Sequence, residues 1–322
     1  MNIGLILKGA AMGIAEAIPG VSGGTLAFIT GIYEELLETI KGITPQNLKL
    51  IFSDRKAFWK AINGPFLIML LVGMGGGLIF GVLVISHLLE TQKEILWAMF
   101  FGLVLASAFF LGKDLKWRAS SVLLAILGCV LSYLVTTFVP VSGSTNPIYL
   151  FLSGCLAVSA LMLPGISGSF ILLILGLYDI VINSLKALIT EQDLSGLGTL
   201  FIFGLGVLTG LFTFARVLTW LFKRFKNGTM AVMIGILLGS LNKLWPWKRI
   251  DTAYNKETGG GMEINSIALP DTEVFKIISE SNLMPTAYSE MGDAKLLGVI
   301  AAFIVGLMIV ALLFRYGKKG TG

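Results

Sequence analysis

Long stretches of this chain run without a charged side chain. Phe66 to Ser86 and Ile95 to Gly112 are uncharged, and Ala119 to Tyr178 holds no Asp, Glu, Lys, Arg or His. A bilayer core of ~30 Å is crossed by ~20 apolar residues of helix, and several of these blocks reach that length. The pattern predicts membrane spans at 65–87, 95–112, 119–139, 197–222, 229–247 and 296–314. Two further apolar segments, 3–41 and 149–186, are interrupted by proline and paired glycines, which break a helix. Broken backbone survives at membrane depth only where protein or a water-filled cavity covers it. Both segments are therefore read as re-entrant hairpins, with two full crossings each as the alternative of equal parity. Between them, residues 46–62 place Leu48, Ile51, Phe52, Trp59 and Ile62 at helical spacing among Lys49, Arg55, Lys56 and Lys60, as in a basic helix lying on a membrane surface. Residues 248–294 are polar and read as a small cap outside the membrane.

The interruptions repeat. Pro19-Gly20-Val21-Ser22-Gly23-Gly24-Thr25 is echoed 145 residues later by Pro164-Gly165-Ile166-Ser167-Gly168-Ser169-Phe170. Thr30 to Glu34 pairs with Leu175 to Asp179 at the same offset, and Ala98 to Ser107 pairs with Ala231 to Ser240 at a shorter one. Two ordered matches point to a duplication with halves near 1–140 and 147–322. Lys and Arg collect in cytoplasmic loops. They cluster at 41–60, at 113–118, at 223–228 and after Arg315, whereas 139–148 has none and 187–196 has only acids. One hairpin plus three crossings per half satisfies this alternation. Three is odd, so the second half enters from the opposite face. The expected fold is an all-α integral membrane protein of two inverted repeats, with both termini cytoplasmic, an arrangement common in secondary transporters.

Composition adds exclusions. Hydrophobic residues make up 55% and charged residues 13% of the 322 positions, about half the charge of a soluble domain. The net charge of +5 sits in loops and reads as topology rather than nucleic-acid binding. Cys129 and Cys155 lie in apolar blocks, and His87 is the single histidine, so neither a disulfide, a metal site nor a cofactor is expected. Residues 3–18 carry an Ala15-Glu16-Ala17 run resembling a cleavage site, but no base precedes the apolar stretch, and the segment is read as part of the first hairpin. Oligomeric state is not readable from the sequence.

The motif chemistry suits an anion. A helix starting after a Gly/Ser turn presents free N–H groups and a positive dipole end. Gly20, Gly23, Gly24, Gly165 and Gly168 allow close backbone approach, and Ser22, Thr25, Ser167 and Ser169 add hydroxyls. Two charges lie inside membrane segments, where they are costly and usually functional. Glu16 precedes Pro19 by three residues, with Leu161 at its place in the second copy, and Arg216 lies within the 197–222 span. Arg216 is expected to draw a phosphate, or else to snorkel to the headgroups, and Glu16 to carry a proton or else to cap its hairpin. His87 and Lys243, near the outer ends of their spans, read as interface anchors.

The segment from Ala15 to Thr25 and its echo at Leu163 to Gly168 resemble the bacterial polyprenyl-phosphate translocase family, formerly a domain of unknown function. The resemblance covers essentially the whole chain. It implies a transporter in the bacterial cytoplasmic membrane that returns undecaprenyl phosphate, the carrier of cell-wall sugars, from the outer to the inner leaflet. Undecaprenyl-pyrophosphate phosphatases carry a related motif with an arginine after the serine and a second carboxylate before it. Here the arginine position holds Gly23 and Gly168, and Met12 stands four residues before Glu16. Phosphoryl transfer would lack its charge clamp and acid/base pair, so an enzyme is not expected. A transporter of small soluble anions fits the same tips.

Overall fold

A computed structural model describes residues 3–16, 22–137, 143–186, 188, 194–255, 260–268 and 274–317. Pro19, Gly20 and Val21, most of the expected loop 187–196, the terminal Lys318 and Lys319 and the side chain of His87 lie outside them. The chain is mostly helical. The first motif region comprises α1 (Ile3–Glu16), α2 (Gly23–Ile29) and α3 (Tyr33–Gly42), followed by α4 (Pro45–Ser53), α5 (Arg55–Ala61), α6 (Gly64–Thr91), α7 (Lys93–Lys113) and α8 (Ala119–Thr137). The second comprises α9 (Pro147–Met162), α10 (Gly168–Ile174) and α11 (Tyr178–Lys186), followed by α12 (Leu197–Ser240), strands β1 (Lys248–Asn255), β2 (Gly260–Ser266) and β3 (Phe275–Asn282), α13 (Pro285–Ser289) and α14 (Leu296–Gly317). Among the described residues, four helices are long and apolar enough to cross a membrane: Gly64–Gly81, Lys93–Lys113, Ala119–Thr137 and Leu197–Leu244. Pro147–Met162 and Leu296–Leu312 are shorter apolar helices. With large apolar side chains such as Ile79, Leu83, Phe201 and Leu297 facing outward, this is a helical membrane protein.

Three expectations change. The expected turn at 223–228 is a kink within α12, where Phe225 alone leaves helical geometry (φ −133°, ψ 44°). The surface helix at 46–62 is two helices, because Asp54 ends α4 and caps α5, accepting from the Lys56 and Ala57 N–H groups at 3.0 Å each. The fold is also not all-α. The polar cap contains an antiparallel sheet of order β2-β1-β3, seated through Trp245 and Trp247, whose indole N–H groups donate to the Leu283 and Ala294 carbonyls at 2.8 and 2.9 Å.

Helix pairs lock through glycines that let backbones touch. In α1 and α6, Gly9 faces the Leu70 carbonyl, Gly73 faces Ile6 and Gly77 faces Ala10. In α9 and α12, Gly154 faces the Phe203 carbonyl, Gly206 faces Phe151 and Gly210 faces Cys155. The α1 and α9 positions differ by the 145 residues that separate the motifs. The remaining helices pair across the halves. In α7 and α14, Gly102 faces the Phe303 carbonyl and Gly306 faces Met99; in the far limb of α12 and α8, Gly235 faces Ala125 and Gly128 faces Val232. Each pairing is the other transposed, since Gly102 and Met99 align with Gly235 and Val232 in the second sequence match. Both short helices also end alike, at Gly31 (φ 74°) and Gly176 (φ 65°), left-handed turns that only glycine adopts freely.

Candidate functional site

The two motifs meet. Ser22 is the N-cap of α2, with extended backbone (φ −118°, ψ 138°) and an Oγ that accepts from the Gly24 N–H at 3.1 Å. The same hydroxyl donates at 2.9 Å to the carbonyl of Leu161, at the end of α9. In return, the Gly165 N–H donates to Thr25 Oγ1 at 2.8 Å. Tyr33, buried at the start of α3, donates to the Met162 carbonyl at 2.5 Å and packs edge-on against Phe28 and Phe222. These three bonds satisfy backbone groups that the broken helix α9 leaves open.

Space here is tight. A methyl on Gly24 would stand 2.7 Å from the Leu161 carbonyl oxygen, and one on Gly165, already left-handed at φ 90°, would meet Ser240 Oγ at 3.0 Å. Glycine is therefore required at both positions for close approach.

The copies differ in how their turns are closed. Glu16, the last residue of α1, sends Oε1 to the Gly23 N–H at 2.7 Å. Gly23 and Gly24 thus already hold acceptors, and the free donors expected at the first tip are occupied. The start of α2 packs beside the end of α1, with Gly23 against Met12 and Glu16, which puts a carboxylate seven residues away on the helix start. At the second tip Leu161 replaces Glu16, and Ser167 makes no capping bond. Its hydroxyl instead pairs with that of Ser169 at 2.8 Å. Among the described residues no acceptor meets the Gly168 or Ser169 N–H. Ser22, Thr25 and Ser167 are buried, whereas Glu16 and Ser169 are exposed, so the junction opens to its surroundings beside those two.

The sequence-predicted residues are thus largely gathered: Glu16, Ser22, Gly23, Gly24 and Thr25 touch one another or the segment 161–165, with Ser167, Gly168 and Ser169 following at once. Gly20 lies outside the described residues. Arg216 is not brought to the junction. It is exposed on α12, on the outward stripe of Phe201, Leu205, Leu208 and Trp220, and makes no hydrogen bond or ion pair with either motif among the described residues. Sequence reading missed Tyr33 as a link between hairpins. It also set Lys243 aside, yet that ammonium lies over the Phe170 ring, 5.3 Å from its centroid and next in sequence to Ser169. Among the described residues, no three His, Cys, Asp or Glu side chains are grouped so as to hold a metal ion.

The VCA0040-like family, described as undecaprenyl phosphate translocase-like, matches residues 12–262, and the chain belongs to it. A polyprenyl-phosphate transporter from Vibrio cholerae is 42% identical over 244 residues, covering 75% of this chain and 77% of that one. Another polyprenyl-phosphate transporter, from Staphylococcus aureus, is 33% identical over 259 residues, covering 75% and 85% respectively. No solved structure matches the chain.

Proposed function

We propose that the chain translocates undecaprenyl phosphate from the outer to the inner leaflet of the bacterial cytoplasmic membrane, with the junction of the two motifs as its headgroup site. The observation that carries this is the pair of direct bonds between the motifs, Ser22 to Leu161 and Gly165 to Thr25, in a member of this family. Glu16, Ser22, Gly23, Gly24 and Thr25 form one side of the site; Gly165, Ser167, Gly168 and Ser169 form the other. The transposed glycine pairings and the matching turns at Gly31 and Gly176 support two inverted repeats whose broken hairpins are re-entrant. The basic loops favour cytoplasmic termini and an extracytoplasmic sheet.

The Gly23 N–H is held by an anion that belongs to the protein. A lipid phosphate carries about −1.5 to −2 charges and competes for the same kind of donor. Glu16 repels it while ionised; a proton on Glu16 removes the repulsion and weakens its grip on Gly23. Exchange of carboxylate for phosphate, coupled to that proton, gives translocation a link to the proton gradient. Arg216, on the outward face, meets the headgroup on its way rather than at the junction. Chemistry on the phosphate is not expected, because glycines stand where a phosphatase would hold its arginine.

The test is reconstitution in liposomes carrying undecaprenyl phosphate in one leaflet, with an imposed pH difference. Exchange between leaflets above protein-free vesicles, lost in Glu16→Gln, is the expected result. Uptake of inorganic phosphate without lipid exchange would make the chain a small-anion carrier, and phosphate released from the pyrophosphate lipid would make it an enzyme.

A further inference from the structure

Beyond the second motif, the 3-10 turn Leu241–Leu244 leads from α12 into β1, and the charges there are unevenly matched. Lys243 and Lys248 share one carboxylate: Nζ of Lys243 lies 2.9 Å and Nζ of Lys248 3.4 Å from Oε2 of Glu280 on β3. Lys248 is the more enclosed, with its side chain 10% exposed, its ammonium donating to the Lys243 carbonyl at 2.6 Å and lying over Trp97, 5.1 Å from the centroid. Lys243 is 30% exposed and turns its ammonium toward Phe170. Lys93 gives its ammonium to the Ile267 carbonyl, and its charge is felt at Lys248. Among the described residues, one carboxylate therefore answers two ammonium groups, with a third nearby, next to the motif whose turn has no carboxylate of its own.

An enclosed surplus of positive charge is costly unless something compensates it. Burial, then repulsion from Lys243 and Lys93, bring Lys248 down to about 8 against the pull of Glu280. Burial alone would raise Glu280, but the two ammonium groups hold it at about 2. A structural ion pair would need one lysine. Two lysines around one acid, one of them reaching the aromatic ring beside Ser169, suit a ligand with more than one negative oxygen. Lysine is a common binder of phosphate as a point charge.

We propose that Lys243 and Lys248, gathered by Glu280 under the sheet, form a phosphate-monoester recognition site at the mouth of the second motif, where the headgroup is received before it reaches the junction. The site rests on the headgroup reading above, and the ligand chemistry is shared by a lipid phosphate and free phosphate. Glu280 acts as a placeholder that keeps the ammonium groups together and gives them up to the phosphate.

The experiment measures binding of undecaprenyl phosphate, undecaprenol and inorganic phosphate to the full chain in nanodiscs, following the emission of Trp97 and Trp245. Lys243→Gln should weaken undecaprenyl phosphate at least tenfold and leave the neutral alcohol unchanged. Lys223→Gln, in an exposed pair with Glu38, should change neither. Glu280→Gln, which removes the competing carboxylate, should tighten the phosphate lipid threefold or more; a purely structural pair would show no such gain. Lys248→Met keeps the buried volume and should resemble Lys243→Gln. Unchanged affinity in Lys243→Gln together with no gain in Glu280→Gln would overturn the site while leaving the junction standing. A wild-type chain that fails to prefer undecaprenyl phosphate over undecaprenol would overturn both. Equal displacement by inorganic phosphate, lost in Lys243→Gln, would uphold the site and assign it to the free anion.

Discussion

The first motif closes its turn with a carboxylate, whereas the second leaves its turn open and has two lysines beyond it. The backbone is shared, with an N-cap serine, a short helix and a left-handed glycine in each copy. Glu16 satisfies the Gly23 N–H at one copy, and Leu161 at the matching position contributes a carbonyl to Ser22 instead. The first motif therefore holds a carboxylate at its tip, and the second has ammonium groups beyond it. On the proposed transport reading, such a pair of related tips would suit alternating access, and the difference between them would give it a direction, with Lys243 and Lys248 at the entrance and Glu16 carrying the proton.

The sharpest way to break this comparison is to place the same residue in both copies. Gly24 and Ser169 are equivalent positions. At Gly24 a methyl group meets the Leu161 carbonyl at 2.7 Å, and backbone cannot swing aside as a side chain does. Gly24→Ala should lower stability by about 1–3 kcal/mol, the usual range for overpacking, and separate the motifs. Ser169→Ala removes only the exposed partner of Ser167 and should cost about 1 kcal/mol or less. Thermal unfolding in detergent measures both; equal losses would mean the junction is no tighter at the first copy than at the second.

Next in size is the carboxylate. A hydrogen bond to a charged group contributes about 1.5–3 kcal/mol, and the exposure of Glu16 puts its bond to Gly23 at the low end. Glu16→Leu makes the first copy like the second and should lose that amount. Glu16→Gln keeps an acceptor at Gly23, so its stability should stay near wild type while leaflet exchange fails. Exchange by Glu16→Gln at the normal rate would remove the proton from the cycle.

Much of this was legible in the chain, for identifiable reasons. Apolar runs and helix-breaking Pro/Gly pairs mark helices and interruptions directly, and a motif repeated at a fixed offset announces equivalent positions. Other features depend on contacts between distant residues. Glu16 closing α2 needs the start of α2 packed beside the end of α1. The bond from Tyr33 to Met162 spans 129 positions. The kink at Phe225 has no proline to signal it, and the charged residues around it suggested a full turn. The strands escaped because β1 and β3 mix charged and apolar residues without strict alternation. Lys243 looked like a span-end anchor, since only the folded sheet brings Glu280 to it.

The basic cluster behind the second motif makes a contribution that depends on pH. Glu280 is held at about 2 in the fold, below an ordinary carboxyl of about 4.3. The unfolded chain binds the extra proton between those values, so its contribution is present above about pH 4.3 and is lost as pH falls toward 2. Lys248 is lowered to about 8 from an ordinary ~10.4, and here too the unfolded chain binds more protons. Stability should therefore rise with pH between about 8 and 10.4. The near-ultraviolet signal of Trp245 and Trp247 follows the sheet's attachment. Glu280→Gln should flatten the acid limb, and an unchanged limb would place the acid sensitivity elsewhere.

The smallest effect belongs to Arg216, and its smallness separates entrance from junction. Arg216 shares the outward stripe of α12 with Phe201, Leu205, Leu208 and Trp220, where a long side chain runs along apolar surface and keeps its charge at the headgroups. An exposed charge pair is worth about 0.2–1 kcal/mol, so Arg216→Ala should weaken equilibrium lipid binding by no more than about fivefold. Charges outside the tight contact act more on encounter than on affinity, and salt screens them within ~10 Å at 0.1 M. Arg216→Ala should therefore slow leaflet exchange at low ionic strength and approach the wild-type rate as salt is added, whereas Ser22→Ala should stay slow at every salt concentration. A loss of binding in Arg216→Ala as large as in the motif variants, and insensitive to salt, would move Arg216 into the headgroup site and make the junction of the two motifs an incomplete description of it.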